Sequence, residues 1–236
     1  GKAIYGVGGG ITWDSTWESE YREVHQKAAV LYRKQARFQL ITTGKISQKS
    51  LLFENQHIER LIKASRYFSY PFDAEYLKKK IEEECRACDI NQDYRLRISL
   101  SKSGKIELSR QILTPLTLTF CKAKICLQEA NLQQAFTYFK TTHRPHLSLG
   151  EQEEIYHNTK GELLETSIGN LVLKIAGKLY TPPIRLGILP GIYRQHLLET
   201  GQVEEKVLTL ADLAQAEAIY GCNAVRGLYE LSMKEN

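Results

Sequence analysis

With 236 residues, 42% hydrophobic and 25% charged, the chain has the length and composition of a globular protein with one large core or two smaller ones. Its net charge of +5 is dispersed, and the one basic run, Lys78-Lys79-Lys80, is answered by Glu82-Glu83-Glu84, so a solvated helix face is expected there and not a nucleic-acid stripe. No apolar run approaches a membrane span and no secretory signal pattern opens the chain, which leaves neither membrane nor nucleic acid as an expected partner.

Five cysteines without disulfide-like spacing favour a reducing, cytoplasmic setting. Cys85-x-x-Cys88 falls at helical spacing with Leu77 and Ile81, so both thiols are expected on a buried helix face. Gly1 stands where Met would open a complete chain, as in a piece of a longer polypeptide.

In chain order, Tyr5 to Ile11 reads as a glycine-rich strand or turn. A helix follows to about Tyr32, with Ser15 as N-cap and Glu20 and Glu23 on one face. Phe38 to Thr43 is a predicted strand closed by a Gly44-Lys45 turn. Helices are predicted over Glu54 to Phe68 and Asp73 to Cys88. Tyr94 to Leu100 and Lys105 to Leu113 alternate at period two about Ser101 to Gly104, a hairpin signal. Leu116 to Cys126 is a further strand.

An irregular stretch then leads to Lys140, and a domain boundary is expected near 127. Beyond it, Glu154 to His157 and Leu163 to Glu165 flank a Lys160-Gly161 turn, and Leu171 to Ile175 and Leu179 to Tyr180 flank Gly177. A helix is expected from Pro190 to about Glu199 and another over Ala211 to Gln215, capped by Thr209 with Asp212 at N3. Ala218 to Asn223 is the expected final strand.

Four signatures carry chemistry: Phe139 to Arg144, Glu165 to Asn170, Thr181-Pro182-Pro183 with Leu189 to Arg194, and Cys222 to Gly227. A lysine between aromatic residues and threonines, a carboxylate among Leu163, Leu164, Ile168 and Leu171, and a glycine opening a helix are what a pyridoxal phosphate site needs. The amine forms the Schiff base, the carboxylate keeps a pyridinium nitrogen protonated, and the helix start takes a phosphate. Partial burial would bring the Lys140 amine toward neutrality.

In these residues the chain from about Phe38 onward resembles the class IV, fold type IV pyridoxal phosphate enzymes. That group holds branched-chain and D-amino acid aminotransferases and 4-amino-4-deoxychorismate lyases. The wording Lys-Thr-Thr-x-Arg, Glu-Thr-Ser-x-x-Asn and Asn-Ala-Val-Arg-Gly is most similar to the lyases. The first thirty residues resemble the closing segment of chorismate-binding enzymes, in particular aminodeoxychorismate synthase component I.

The resemblance implies a mixed α/β, two-domain, D-amino acid aminotransferase-like fold. Residues 1–33 would be a synthase tail, 36–126 a small domain and 127–236 a large domain. It implies Lys140 as the catalytic, cofactor-carrying lysine and Glu165 as the pyridinium partner. Arg60, Gly191, Ile192, Tyr193 and Ala224 would hold the cofactor, and Asn223 and Arg144 the substrate. The implied reaction converts 4-amino-4-deoxychorismate to 4-aminobenzoate and pyruvate for folate synthesis. A class IV transaminase and a catalytically silent domain remain alternatives. Implied partners are an upstream synthase domain in cis, a glutamine amidotransferase subunit and a second copy of the chain. Glu20 and Glu23 match the acidic pair that helps bind magnesium in the synthase family, yet so short a tail cannot build that pocket, and no metal is expected.

The chain also departs from the family pattern. The stretch from Lys140 to Glu165 is shorter than in most members, and Pro145, His146 and Leu147 stand where a tyrosine is usual. His143 and His146 are the polar groups that could substitute for it.

Overall fold

The structure is a computed structural model that describes residues 4–32, 36–114, 121–128, 134–148 and 153–233. The chain divides into two compact units, Gly1–Arg37 and Phe38–Asn236. Among the described residues no helix is long and apolar enough to cross a membrane.

The first unit is one helix, α1 (Trp17–Tyr32), with the glycine segment folded against it. Residues 4–12 form no strand. Thr16 rather than Ser15 caps the helix: its Oγ1 accepts from Ser19 N–H at 3.3 Å while Thr16 N–H donates to Ser19 Oγ at 3.2 Å. Ser15 Oγ instead donates to Glu20 Oε1 at 2.8 Å. Lys27 pairs with Glu23 at 2.5 Å and donates to the Gly8 carbonyl at 3.0 Å, which ties the glycine segment to the helix.

The second unit begins with a four-stranded antiparallel sheet ordered β2-β1-β3-β4. Its strands are β1 (Leu40–Ser47), β2 (Ser50–Leu51), β3 (Tyr94–Leu100) and β4 (Ile106–Ile112). The expected Gly44-Lys45 turn is absent, and β1 runs through it to a tight turn at Gln48 and Lys49, both at positive φ. Gly44 sits in the strand because the buried His57 leans on it: a Cβ there would lie 2.5 Å from His57 Nε2.

Helices α2 (Glu54–Phe68) and α3 (Ala74–Arg86) cover one face of this sheet. Asp73 caps α3 by accepting from Tyr76 N–H at 2.9 Å. Period two in β3 sends Leu96, Ile98 and Leu100 into the core against Leu61, Leu77 and Ile81, each at most 1% exposed. Each such side chain contributes about 1.5–3 kcal/mol by leaving water. Cys85 and Cys88 are buried in the same core, as their spacing predicts.

The second sheet has eight strands in the order β10-β9-β8-β11-β12-β5-β6-β7. They are β5 (Cys121–Leu127), β6 (Glu153–His157), β7 (Leu163–Thr166), β8 (Asn170–Ile175), β9 (Lys178–Thr181), β10 (Glu204–Glu205), β11 (Ala218–Asn223) and β12 (Gly227–Met233). Pairing of Glu165 with Asn170 joins β7 back to β8, so six of the strands close on themselves. Helices α4 (Gln134–Tyr138), α5 (Ile192–Glu199) and α6 (Leu210–Gln215) complete the unit, and Thr209 and Asp212 form the expected capping box.

Three expectations change here. Strand β5 pairs with β6 and β12, so it belongs to the second sheet and the passage between sheets precedes residue 121, not 127. The part of that predicted strand at 116–120 lies outside the described residues. Ala218 to Asn223 is followed by one more strand, β12, whose Gly227 start at positive φ makes a tight return with β11. The stretch before Lys140 also contains a short helix, α4.

Candidate active site

A cavity of about 500 Å³ opens between the two sheets of the second unit. Lys140 stands at the seam. Its carbonyl accepts from Ile41 N–H at 2.9 Å, Thr142 N–H donates to the Gln39 carbonyl at 2.9 Å, and Thr142 Oγ1 accepts from Gln39 N–H at 2.9 Å. The lysine segment thus lies as a bridge beside β1, and the amine faces the cavity.

Burial, with the Arg60 and Arg144 charges beside it, brings the Lys140 amine down to about 7, against a smaller opposing pull from Glu165. An amine there exchanges protons near neutral pH, as an acid–base group must.

The Glu165–Asn170 signature folds as a hairpin turn. Thr166 N–H donates to the Gly169 carbonyl at 2.9 Å, and Gly169 N–H donates to Thr166 Oγ1 at 3.0 Å. This brings Glu165 and Asn170 side by side, where both reach one backbone residue. Asn170 Nδ2 donates to the Leu189 carbonyl at 2.8 Å, and Leu189 N–H donates to Glu165 Oε2 at 3.4 Å. Two side chains from one turn therefore set the Leu189-Pro190-Gly191 segment that opens α5. Gly191 must be glycine on this account, since a Cβ would come within 1.9 Å of Asn170 Oδ1.

Glu165 is 2% exposed, and burial pushes its carboxyl up, opposed first by Arg144. Arg144 donates to Glu165 Oε1 at 3.1 Å, so the guanidinium expected to meet substrate is engaged with the carboxylate. Arg60 donates to the Pro190 carbonyl at 2.7 Å, which places it at the start of α5. Burial and then Arg144 bring its guanidinium down to about 10, still charged at neutral pH. Among the described residues no side chain caps α5, so its first N–H groups are left for an anion.

Lys140, Arg60, Glu165, Gly191, Ile192, Asn223, Ala224 and Arg144 all line this cavity. Tyr193 does not: its ring packs edge-on against Phe53 at 6.0 Å and lies near His196. Asn223 lines it but turns its carboxamide oxygen to its own loop, accepting from Val225 and Arg226 N–H at 3.0 and 2.9 Å. His143 packs edge-on against Phe136, and neither it nor His146 is among the lining residues.

Sequence reasoning missed Arg95 and Arg97 of β3, and it assigned no role to Arg226. In sequence the two strand arginines are merely the polar members of an alternating strand. Among the described residues six basic side chains, Arg60, Arg95, Arg97, Lys140, Arg144 and Arg226, line the cavity around one carboxylate, Glu165. Such a site favours an anion with several negative groups.

Known proteins share this architecture. A Thermotoga maritima protein named a probable branched-chain-amino-acid aminotransferase is 22% identical over 244 residues, 93% of this chain and 88% of its own. A Schizosaccharomyces pombe protein provisionally named an aminodeoxychorismate lyase is 24% identical over 163 residues, 63% of this chain and 68% of its own. An uncharacterized Haemophilus influenzae protein is 34% identical over 79 residues, where the match spans only 41% of its length.

Among solved structures, a provisional 4-amino-4-deoxychorismate lyase of Legionella pneumophila superposes with a TM-score of 0.65 at 22% identity, covering 84% of this chain and 83% of its own. The PLP-bound form of a hypothetical aminotransferase of Mycobacterium tuberculosis gives 0.71 at 16% identity, covering 83% and 81%. Residues 1–33 match the pattern of the chorismate binding enzymes. Residues 39–232 match amino-transferase class IV, and the chain is a member of that family.

Proposed function

We propose that this chain binds pyridoxal phosphate at Lys140 and converts 4-amino-4-deoxychorismate to 4-aminobenzoate and pyruvate. The residues present fit the cofactor. A near-neutral amine faces the cavity, its lining among the described residues contains a single carboxylate, and Arg60 stands at an uncapped helix start where a Cβ on Gly191 would not fit. Lys140 would carry it, Glu165 would accept from its ring nitrogen, and Arg60 with the N–H groups of α5 would hold its phosphate. When bound, the cofactor supplies an electron sink for the carbanion formed beside the substrate amine.

The chain's own residues supply the rest. Lys140 Nζ takes the proton from the amine-bearing carbon and returns it to the departing enolpyruvate, so no net proton is consumed. Arg144 holds Glu165 in place and favours its ionised form. Loss of enolpyruvate makes the ring aromatic, which drives the elimination forward.

The observation that carries the choice of lyase is the chorismate-binding match of residues 1–33. It supports a synthase domain in cis, next to a catalyst that consumes its product. The second reading, an amino acid transaminase, is favoured by the Thermotoga maritima relative.

A transaminase must pass the amino group to a 2-oxo acid. The lyase needs no second substrate. Purified protein with pyridoxal phosphate should therefore make 4-aminobenzoate over many turnovers with no 2-oxo acid added. Amino-group transfer from a branched-chain amino acid, without 4-aminobenzoate, decides for the second reading. Absence of both activities decides for a silent domain.

A further inference from the structure

Behind the turn that sets Glu165 and Asn170 lies a buried polar trio that no step above uses. Strand alternation turns Glu165 to the cavity and its neighbour Thr166 the other way, against Glu153 of β6 and Tyr229 of β12. Glu153, Thr166 and Tyr229 are all buried, and none of them is among the residues that line the cavity.

Two hydroxyls meet on one carboxylate oxygen. Thr166 Oγ1 donates to Glu153 Oε1, and Tyr229 OH donates to the same oxygen at 2.8 Å. Burial pushes the Glu153 carboxyl up and the two donors oppose it, so they favour the ionised acceptor. Glu153 Oε2 has no hydrogen-bond partner among the described residues. A buried carboxylate satisfied on one side only is expensive, and apolar side chains of the same volume would cost less. What the trio supplies is an orientation.

A threonine hydroxyl has a single hydrogen. With Glu153 taking it, the lone pairs of Thr166 Oγ1 remain for the Gly169 N–H, 3.0 Å away, which closes the turn. Without Glu153 the hydrogen turns to the Gly169 carbonyl at 3.1 Å, and one oxygen must then donate to and accept from the same residue. Two glycines make room for the tyrosine. A Cβ on Gly221 would lie 2.4 Å from the Tyr229 ring, and one on Gly169 would lie 3.0 Å from its hydroxyl. Tyr229 is thus seated against the back of the turn.

We propose that Glu153, Thr166 and Tyr229 are positioning residues that hold the 166–169 turn from behind and so fix Glu165 toward the cofactor ring. This rests on the reading of Glu165 as the acceptor for the ring nitrogen.

Deazapyridoxal phosphate with C–H in place of the ring nitrogen keeps the aldehyde and the phosphate. The full chain should bind pyridoxal phosphate about 10- to 100-fold more tightly than this analogue, the worth of one hydrogen bond to a charged group. Tyr229→Phe, which keeps the ring on Gly221, and Thr166→Val should each lower that ratio by about threefold or more, the worth of a lost hydrogen bond. Thr166→Ser keeps the hydroxyl and should keep the wild-type ratio. A fold that is merely weakened lowers the affinity for both cofactors together and leaves the ratio as it was.

A wild-type ratio near one overturns the proposal together with the Glu165 assignment, and that result needs no variant to fold. A large wild-type ratio that Tyr229→Phe and Thr166→Val retain overturns the proposal alone and leaves Glu165 in place. Thr166→Ser falling as far as Thr166→Val also overturns it, because the hydroxyl is then not what acts. A ratio that the two variants lower, with no 4-aminobenzoate ever formed, upholds the trio and removes the lyase reading.

Discussion

The two sheets give the cavity different kinds of wall. The eight-stranded sheet contributes turns: residues 167–170, the segment into α5, and the 223–226 loop. Each is fixed by side chains bonded to backbone, as with Asn170 and Glu165 on Leu189. The four-stranded sheet contributes a strand face, Ile41 and Thr43 beside Arg95 and Arg97, whose opposite face is its own core. A turn wall cannot change residues without moving backbone. A strand wall can, because alternation alone decides which way its side chains point. Invariant chemistry is therefore expected on the turns, and substrate choice on the strands.

Lys140 belongs to neither wall, and its loss should have the largest effect. Lys140→Ala should lower turnover by at least roughly 10³-fold on the proposed reading, in which it removes the acid–base amine and the point of covalent attachment together. In the wild type, borohydride reduction and peptide mapping should place the pyridoxyl label on Lys140. A label on another lysine would dismantle the site described above.

Glu165→Gln probes the turn wall. The neutral amide keeps the shape of the side chain yet gives a poor partner for a cationic ring nitrogen. Turnover should drop about 10²–10³-fold, with cofactor affinity changed far less. Equal losses in both would mean that Glu165 only builds the Leu189 clamp.

Gly191→Ala should act on the same wall by shape alone. The backbone at Gly191 has φ −67° and ψ 139°, which any residue adopts, so the damage comes from the clash with Asn170. Asn170 must move and release the Leu189 carbonyl. Cofactor affinity should fall about tenfold, the value of one charge-assisted contact at the helix start, while thermal unfolding stays cooperative. Unchanged affinity would show that α5 does not hold the phosphate.

The same contrast explains what could be read in advance. Helices α2 and α3 and strands β3 and β4 were legible to within a residue or two, since each carries an unbroken period against one core. The turn residues were legible because their signatures combine glycine, proline and a lone carboxylate in fixed order. Gly44 misled, since its reason is the imidazole of His57 beside it and not a turn. Strand β12 was missed although Gly227 to Leu231 pairs locally with β11; its last residues, Leu231 to Met233, gain their second partner only from β5, a hundred residues earlier. Arg95 and Arg97 were missed for a related reason. A strand's outer face reads as solvent until tertiary structure lays a cavity against it.

The smallest effect is also the one whose sign is most informative. Burial is the main reason that the Lys140 amine sits near about 7, and the charges of Arg60 and Glu165 act on it in opposite directions. Only the neutral amine attacks an aldehyde, so the initial rate of covalent cofactor attachment should rise with pH and level off above a midpoint near 7. Arg60→Gln removes a cation that disfavours the protonated amine, so the midpoint should move up. Glu165→Gln removes an anion that favours it, so the midpoint should move down. Stopped-flow absorbance between pH 5.5 and 9.5, at cofactor concentrations that saturate each variant, measures both. Shifts of the same sign in the two variants would mean that altered burial, and not charge, sets the Lys140 amine.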